Sequence, residues 1–444
     1  MAISTSFKNL IKLFLPIIFF EFYLNLSVFL FAFGPWPWPV TNPVELYAYL
    51  LSAHFLLFLG YYSGLKKAIR KPIMVNNKEI NWLKISLIAN ILLLVPTSYS
   101  RSGSIIPDIL FGLSSPGEAY QNAVERSFSG GIWVAIEYLR ILISPILAFT
   151  FPFIIATWRD RTKFERIACV FIVFFNIAIY VSIGTNKAIV DTVLLFPWLI
   201  ALAIISGNLI LTKRRTIYLS SAGLGGLFLA FLFFGYGQIN RGGGVASGRN
   251  FGPPINIDAD STNWLTASLP DMYQIYVESL IRYLCQGYYA LSRALLLDFD
   301  TTFGVGHSMF LVRNVESLLG ITDLASRSYP ARLEQAEDWG MLTLWDSIYP
   351  WIASDVGFFG ALLIVFLIGR YFAMTWIYSI RDADKISILL FSYFIIILLY
   401  FPANNQLMQN GESCIGFYFT FIIWIFKISN FNIKIPARTL IDAK

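Results

Sequence analysis

The chain is 444 residues long, 57% hydrophobic and only 14% charged, with a formal net charge of +6. Soluble domains carry roughly a quarter of their residues as charges, so this composition excludes an ordinary soluble protein and points to an all-α polytopic membrane protein. The basic excess sits in short stretches between apolar runs, where it anchors loops against anionic headgroups; no basic, aromatic-interleaved soluble segment calls for a nucleic-acid partner.

In chain order, apolar runs occupy about 10–34, 44–64, 82–100, 132–157, 166–183, 188–211, 217–237, 356–378, 387–402 and 413–428. Each is long enough to be considered as a helix crossing a hydrocarbon core of roughly 30 Å. The first follows two lysines, exceeds the apolar region of a cleavable signal and has no small-residue cleavage site, so it is expected to be a retained span. Lys and Arg near span ends stay on the cytoplasmic side. The N-terminal tail, "KKAIRKPIMVNNKE", "RDRTKFER", "TKRRT", "RDADK" and "KISNFNIKIPARTLIDAK" fall on one side of that arrangement. About ten transmembrane helices with both termini inside are therefore expected.

This topology divides the chain into 1–237, holding spans 1 to 7 and an outer loop at about 101–131; 238–352, a large outer loop between spans 7 and 8; and 353–444, holding spans 8 to 10 and a cytoplasmic tail. In the smaller loop, "SSPGEAYQNAVERSFSGG" predicts a short helix with Ser115 as N-cap, Pro116 at the first helical position and Glu118 closing a capping box. It reads equally as a lid or as a solvated connector. The larger loop opens with "NRGGGVASGRNFGPPINIDADSTN", too rich in Gly, Asn and Asp for regular structure.

After it, "DMYQIYVESLIRYLCQGYYALSRALLLDF" has a helical period. Val277, Ile281, Leu284, Tyr288, Leu291 and Leu295 share one face; Glu278, Arg282, Gln286, Tyr289 and Arg293 share the other. Arg282 and Arg293 project the same way about 16 Å apart, lining a groove or facing solvent. In "TTFGVGHSMF", Gly304 and Gly306 permit a turn before a helix capped by His307 or Ser308. Its free N–H groups would attract an anion, and a histidine such as His307 can donate or accept a proton.

Ionisable residues within apolar runs are costly and invite a functional reading. Arg140 is either such a residue or the partner of Glu137, one turn earlier. His54 is expected to be a satisfied interior histidine. Lys187 stands at the mouth between spans 5 and 6, and Asp355 opens span 8 as a helix N-terminal charge or a site carboxylate. Cys169, Cys285 and Cys414 are too few and scattered for a disulfide framework or a metal site. With no Ser-His-Asp spacing, Walker motif or nucleotide fingerprint either, no cofactor is expected.

"YLCQGYYALSRAL", "TTFGVGHS" and "WGMLTLWDSIYPWIASDVGFFGALL", within 283–365, resemble the corresponding region of Wzy-type oligosaccharide repeat-unit polymerases, the O-antigen polymerases of bacterial surface polysaccharide synthesis. The plan of spans is similar, and the Arg-x10-Gly pattern that some members carry in both long periplasmic loops is met by Arg101 to Gly112 and Arg241 to Gly252. The resemblance implies a GT-C-like fold in the bacterial inner membrane, active on its periplasmic face. It also implies undecaprenyl-diphosphate-linked oligosaccharides as substrates and a flippase and chain-length regulator of the same pathway as partners. In the implied reaction, a sugar hydroxyl of one lipid-linked repeat attacks the anomeric carbon of the growing chain, and undecaprenyl diphosphate leaves.

Such a reaction needs fixed cations for the diphosphate, drawn from Arg101, Arg241, Arg282, Arg293 and Lys187. It needs a base near the attacking hydroxyl, with His307 the first choice and Asp355 the second. It needs sugar-facing aromatics, for which Tyr288, Tyr289, Trp339 and Trp345 are the candidates. An O-antigen ligase, a flippase of the same pathway and a non-enzymatic scaffold are the competing readings.

Overall fold

The computed structural model describes residues 2–73, 81–128, 131–210, 212–241 and 249–429. α1 (Ala2–Phe33), α2 (Pro43–Arg70) and α3 (Trp82–Ser102) are followed by two shorter helices, α4 (Pro116–Phe128) and α5 (Ile132–Leu142). Next come α6 (Lys163–Ser182), α7 (Lys187–Ile205) and α8 (Lys213–Arg241), then α9 (Asp271–Ala294) and α10 (Met309–Leu319) within the long loop. The chain closes with α11 (Ile348–Asp382), α12 (Lys385–Tyr400) and α13 (Gly411–Ser429). Among the described residues every named element is a helix.

Eight of these helices are long and apolar enough to cross a membrane: α1, α2, α3, α6, α7, α8, α11 and α13. The expected fourth span is broken, because Val134–Leu142 and Ser144–Ala156 meet at 68°. Pro145 lies at that break; it has no N–H to continue the helical ladder, and its ring crowds the preceding turn. The expected ninth span, α12, has only 16 residues, about 24 Å at 1.5 Å each. It is buried throughout residues 387–399, so neighbouring helices, not lipid, surround it. The fold is thus a polytopic helical bundle of eight spanning helices, nine with the bent pair counted as one.

The closest helix pair is α2 with α11, and glycine makes it possible. A Cβ on Gly60 would stand 2.0 Å from the carbonyl oxygen of Phe366, one on Gly64 2.0 Å from that of Arg370, and one on Gly369 2.2 Å from that of Leu57. Small residues four apart allow two backbones to touch inside a membrane, where packing replaces the hydrophobic drive. At the other extreme, α8 is almost bare: only 6% of its apolar window is buried, leaving Ile217, Leu224 and Leu229 exposed as a lipid-facing surface.

α9 departs from the expected surface helix. Its apolar face is buried through Ile281, Tyr288 and Leu291, but so are Glu278, Gln286 and Tyr289 of the face expected to be polar. The helix sinks against the end of α1 and the turn after it: Tyr288 bonds Ser27 at 2.8 Å, Trp36 Nε1 donates to the Glu278 carbonyl at 2.8 Å, and Asn42 donates to the Ser292 carbonyl at 2.9 Å. The Glu278 carboxylate is held by Arg249 at 3.2 Å, although burial still pushes it above the usual carboxylate range. Mid-bundle, His54 Nδ1 bonds Glu21 at 2.8 Å, so this histidine is satisfied. The three cysteines are free and buried.

Candidate functional site

The ends of α3 and α6, the starts of α7 and α13, and the loop helices α4, α9 and α10 meet at the end of the bundle that carries the two long loops. There a cavity of ≈ 880 Å³ opens between α7, α8, α9 and α10, within the size range of small-ligand sites. One wall is apolar, with Leu227, Phe231 and Phe234 of α8 facing Val190 and Leu194 of α7. The other is polar, with Lys187, Arg313, Asn314, Asn404, Gln406 and Gln409. Tyr120 of α4 also reaches it, so the short helix of the smaller loop borders the cavity.

Beside the cavity lies a charged network built from residues far apart in sequence. Arg101, in the last turn of α3, pairs with Glu137 at 2.9 Å and Glu412 at 2.5 Å, and donates to Tyr180 at 3.0 Å. Arg140 takes both oxygens of Glu412, each at 2.8 Å, and donates to Thr97. The i,i+4 pair Lys187–Asp191 adds a contact of 2.6 Å, and Tyr400 donates to Asp191 at 3.0 Å. Three cations thus meet three carboxylates, as burial of charge requires. Arg140 is paired, but with Glu412 and not with Glu137, the partner that one of the two sequence readings offered.

Arg313 stands apart. It is exposed at the cavity wall, and no carboxylate among the described residues pairs with it. It is the cation best placed to meet an anionic group entering from outside.

The turn at 301–308 is fully engaged. Asp355 accepts hydrogen bonds from Thr302 Oγ1 at 2.5 Å, Gly306 N at 2.7 Å, His307 N at 3.1 Å and His307 Nδ1 at 2.7 Å. A group that only accepts four times is an ionised carboxylate. It therefore holds the proton of His307 on Nδ1 and leaves Nε2 as the acceptor, which the hydroxyl of Tyr418 fills. Asp355 reaches this turn because α11 breaks two residues later at Gly357, whose φ of 69° suits glycine. Ser308 is the N-cap of α10, accepting from Leu311 N, and Met309 N donates to Gln409. The helix N-terminus is consequently not an open anion cradle.

The other expected site residues scatter. Arg293 forms a fork with Glu337 at 2.6 Å and bonds Thr41; the hydrogen bonds it donates to that carboxylate raise its pKa. Arg282 stacks over Trp36 and Phe251 and donates to the Asn250 carbonyl, while burial lowers its pKa. The two arginines therefore do not share an open groove, because one is neutralised and the other is packed between rings. The side chain of Arg241 lies outside the described residues. Of the aromatics, Trp345 lines the cavity, whereas Tyr288, Tyr289 and Trp339 are only 1%, 5% and 2% exposed and belong to the core. Tyr289 and Trp339 pack on each other with centroids 5.3 Å apart.

Sequence reasoning missed Arg313, Glu412, Asp191, Tyr180 and Tyr418. Asp191 carried a readable signal, the i,i+4 spacing from Lys187 on one helix. Glu412 carried none, since its partners are 311 and 272 positions away. No family model, curated protein or solved structure matches the chain.

Proposed function

We propose that the protein is a membrane glycosyltransferase that polymerises oligosaccharide repeat units carried on undecaprenyl diphosphate, at the outer face of the cytoplasmic membrane. The observation that carries this reading is the cavity of ≈ 880 Å³, with an apolar wall on lipid-exposed α8 and a polar wall bearing Arg313, which no carboxylate among the described residues pairs. A lipid-linked sugar is amphipathic in the same sense: its prenyl chain suits the α8 side, its anionic diphosphate suits Arg313, and its glycan suits the amides and Trp345. The charges favour an enzyme over a transporter. They lie at one end of the bundle, whereas secondary transporters bind substrate near the midplane, and the mid-bundle pair Glu21–His54 does not line the cavity.

In the proposed reaction the acceptor hydroxyl reaches past the cavity wall at Met309 and Phe310 to take the place of Tyr418 at His307 Nε2, which Asp355 holds as the acceptor nitrogen. The oxygen attacks the anomeric carbon, the proton passes to His307, and the C–O bond to diphosphate breaks. The departing negative charge falls to Arg313, with Lys187 close by. The donor is activated by its own diphosphate, so the transfer is downhill.

The test is twofold. A strain lacking the protein should display lipid A core capped by a single repeat in place of a ladder. Complete loss of capping would identify a ligase, and accumulated unflipped precursor a flippase. Purified protein in proteoliposomes should extend a lipid-diphosphate-linked repeat, His307→Ala should abolish extension, and Tyr418→Phe, which frees Nε2, should retain it. Normal ladders from His307→Ala would remove the base assignment.

A further inference from the structure

The opposite end of the bundle carries a second charged feature that the proposed reaction does not use. Lys66, Lys67, Arg70 and Lys71 at the end of α2 and Arg370 of α11 converge on one groove of ≈ 560 Å³. Their recorded contacts are to neutral groups: Lys66 lies over the Tyr62 ring, Arg370 donates to Ser63 at 3.0 Å, and Lys71 donates to the Ile428 carbonyl at 3.2 Å. No carboxylate among the described residues pairs with any of the five.

Cations at the end of a helix are ordinary, because they complement its dipole and stay on the cytoplasmic side. Arg370 is not at a helix end. It precedes Asp382, the last residue of α11, by twelve positions, about 18 Å along the axis. It faces the groove because α2 and α11 touch at Gly64, where a Cβ would meet the Arg370 carbonyl oxygen. The close crossing therefore brings a guanidinium buried part-way in the bundle beside lysines at the interface. Five like charges in one depression repel one another, and a bound anion relieves that repulsion.

We propose that this groove binds the phosphate headgroup of an anionic phospholipid of the adjacent leaflet. The chemistry required is a phosphodiester at the depth of Arg370, reached by Lys67 and Arg70 from the water side, with acyl chains running along Leu59 and Tyr62. Basic pockets between spanning helices on the cytoplasmic side are suited to such lipids. The site lies away from the cavity, so it stands or falls separately from the proposed reaction.

The experiment uses the full chain in a neutral detergent and in nanodiscs of phosphatidylcholine alone or mixed with phosphatidylglycerol or cardiolipin. Bound lipid is read by native mass spectrometry, and melting is read in each lipid mixture. The double variant Lys67→Gln with Arg70→Gln removes two exposed side chains that have no carboxylate partner among the described residues, so its fold is not at risk. It should weaken anionic-lipid binding about thirty-fold and erase the rise in melting temperature that anionic lipid confers. Arg214→Gln with Arg215→Gln, two exposed cations at the same end, should leave both unchanged. Equal losses in the two double variants would overturn the proposal in favour of diffuse surface charge. Displacement of the lipid by inorganic phosphate at equal phosphate concentration would also overturn it, by showing a site for the free anion.

Discussion

Glu412→Gln isolates the energetics of the charged network. The carboxylate accepts from Arg101 Nη2 and from both Nε and Nη2 of Arg140. Glutamine keeps the shape and one acceptor oxygen but removes the charge. Arg101 retains Glu137, at 3.1 and 2.9 Å; Arg140 retains only Thr97, a neutral group. The variant therefore leaves one buried guanidinium uncompensated, which costs about 3–5 kcal/mol. Glu412 is 21% exposed at its side chain, so the lower end, about 3 kcal/mol, applies. Glu137→Gln should cost only about 1 kcal/mol, because Glu137 is 34% exposed and Arg101 keeps Glu412.

The double variant Glu412→Gln with Arg140→Gln restores neutrality and should recover about 2 kcal/mol relative to the sum of the single losses. Unfolding of the purified chain by SDS in mixed micelles, followed by tryptophan fluorescence, measures the parent, the single variants Glu412→Gln, Glu137→Gln and Arg140→Gln, and the double variant. The reasoning fails if Glu412→Gln costs less than about 1 kcal/mol, or if the double variant is as unstable as the two single changes added together.

Asp346 is buried with neither oxygen bonded among the described residues, and burial, then the nearby Glu334, raises its pKa well above the usual carboxylate value. Its stabilising contribution is complete below the unfolded pKa near 3.9 and is lost as pH rises toward the raised native value, at about 1.4 kcal/mol per pH unit. Asp346→Asn should flatten that fall, and melting curves from acidic to neutral pH that stay parallel to those of the parent would contradict it. Gly64→Ala forces apart α2 and α11 and should destabilise by about 1–3 kcal/mol, measured in the same SDS titration; an unchanged midpoint would deny the close crossing. Arg313→Gln should lower kcat/KM for chain extension roughly ten- to a hundredfold without altering stability, and unchanged kinetics would take Arg313 out of the site.

Hydropathy was enough to reveal a polytopic helical bundle, because a bilayer requires continuous apolar helices of a certain length. Two spans resisted that logic for local reasons: Pro145 breaks one, and α12 is shielded by other helices and need not match the lipid thickness. The sequence also singled out Lys187 and Trp345, which line the cavity, and named His307 and Asp355 as first and second choices for a base, two residues that the fold brings to 2.7 Å.

Tertiary structure alone decided which charges are spent and which are free. Arg101, Lys187 and Arg293 looked alike in the sequence as available cations, yet each has a carboxylate partner, whereas Arg313, at the cavity wall, has none among the described residues. Periodicity assigned α9 a polar face, but periodicity cannot reveal that a second layer of chain covers that face. Charge neutralisation and burial depend on contacts between residues hundreds of positions apart, as Glu412 shows with Arg101 and Arg140. Local pattern carries no information about such contacts, whereas helix formation in a bilayer is almost wholly local.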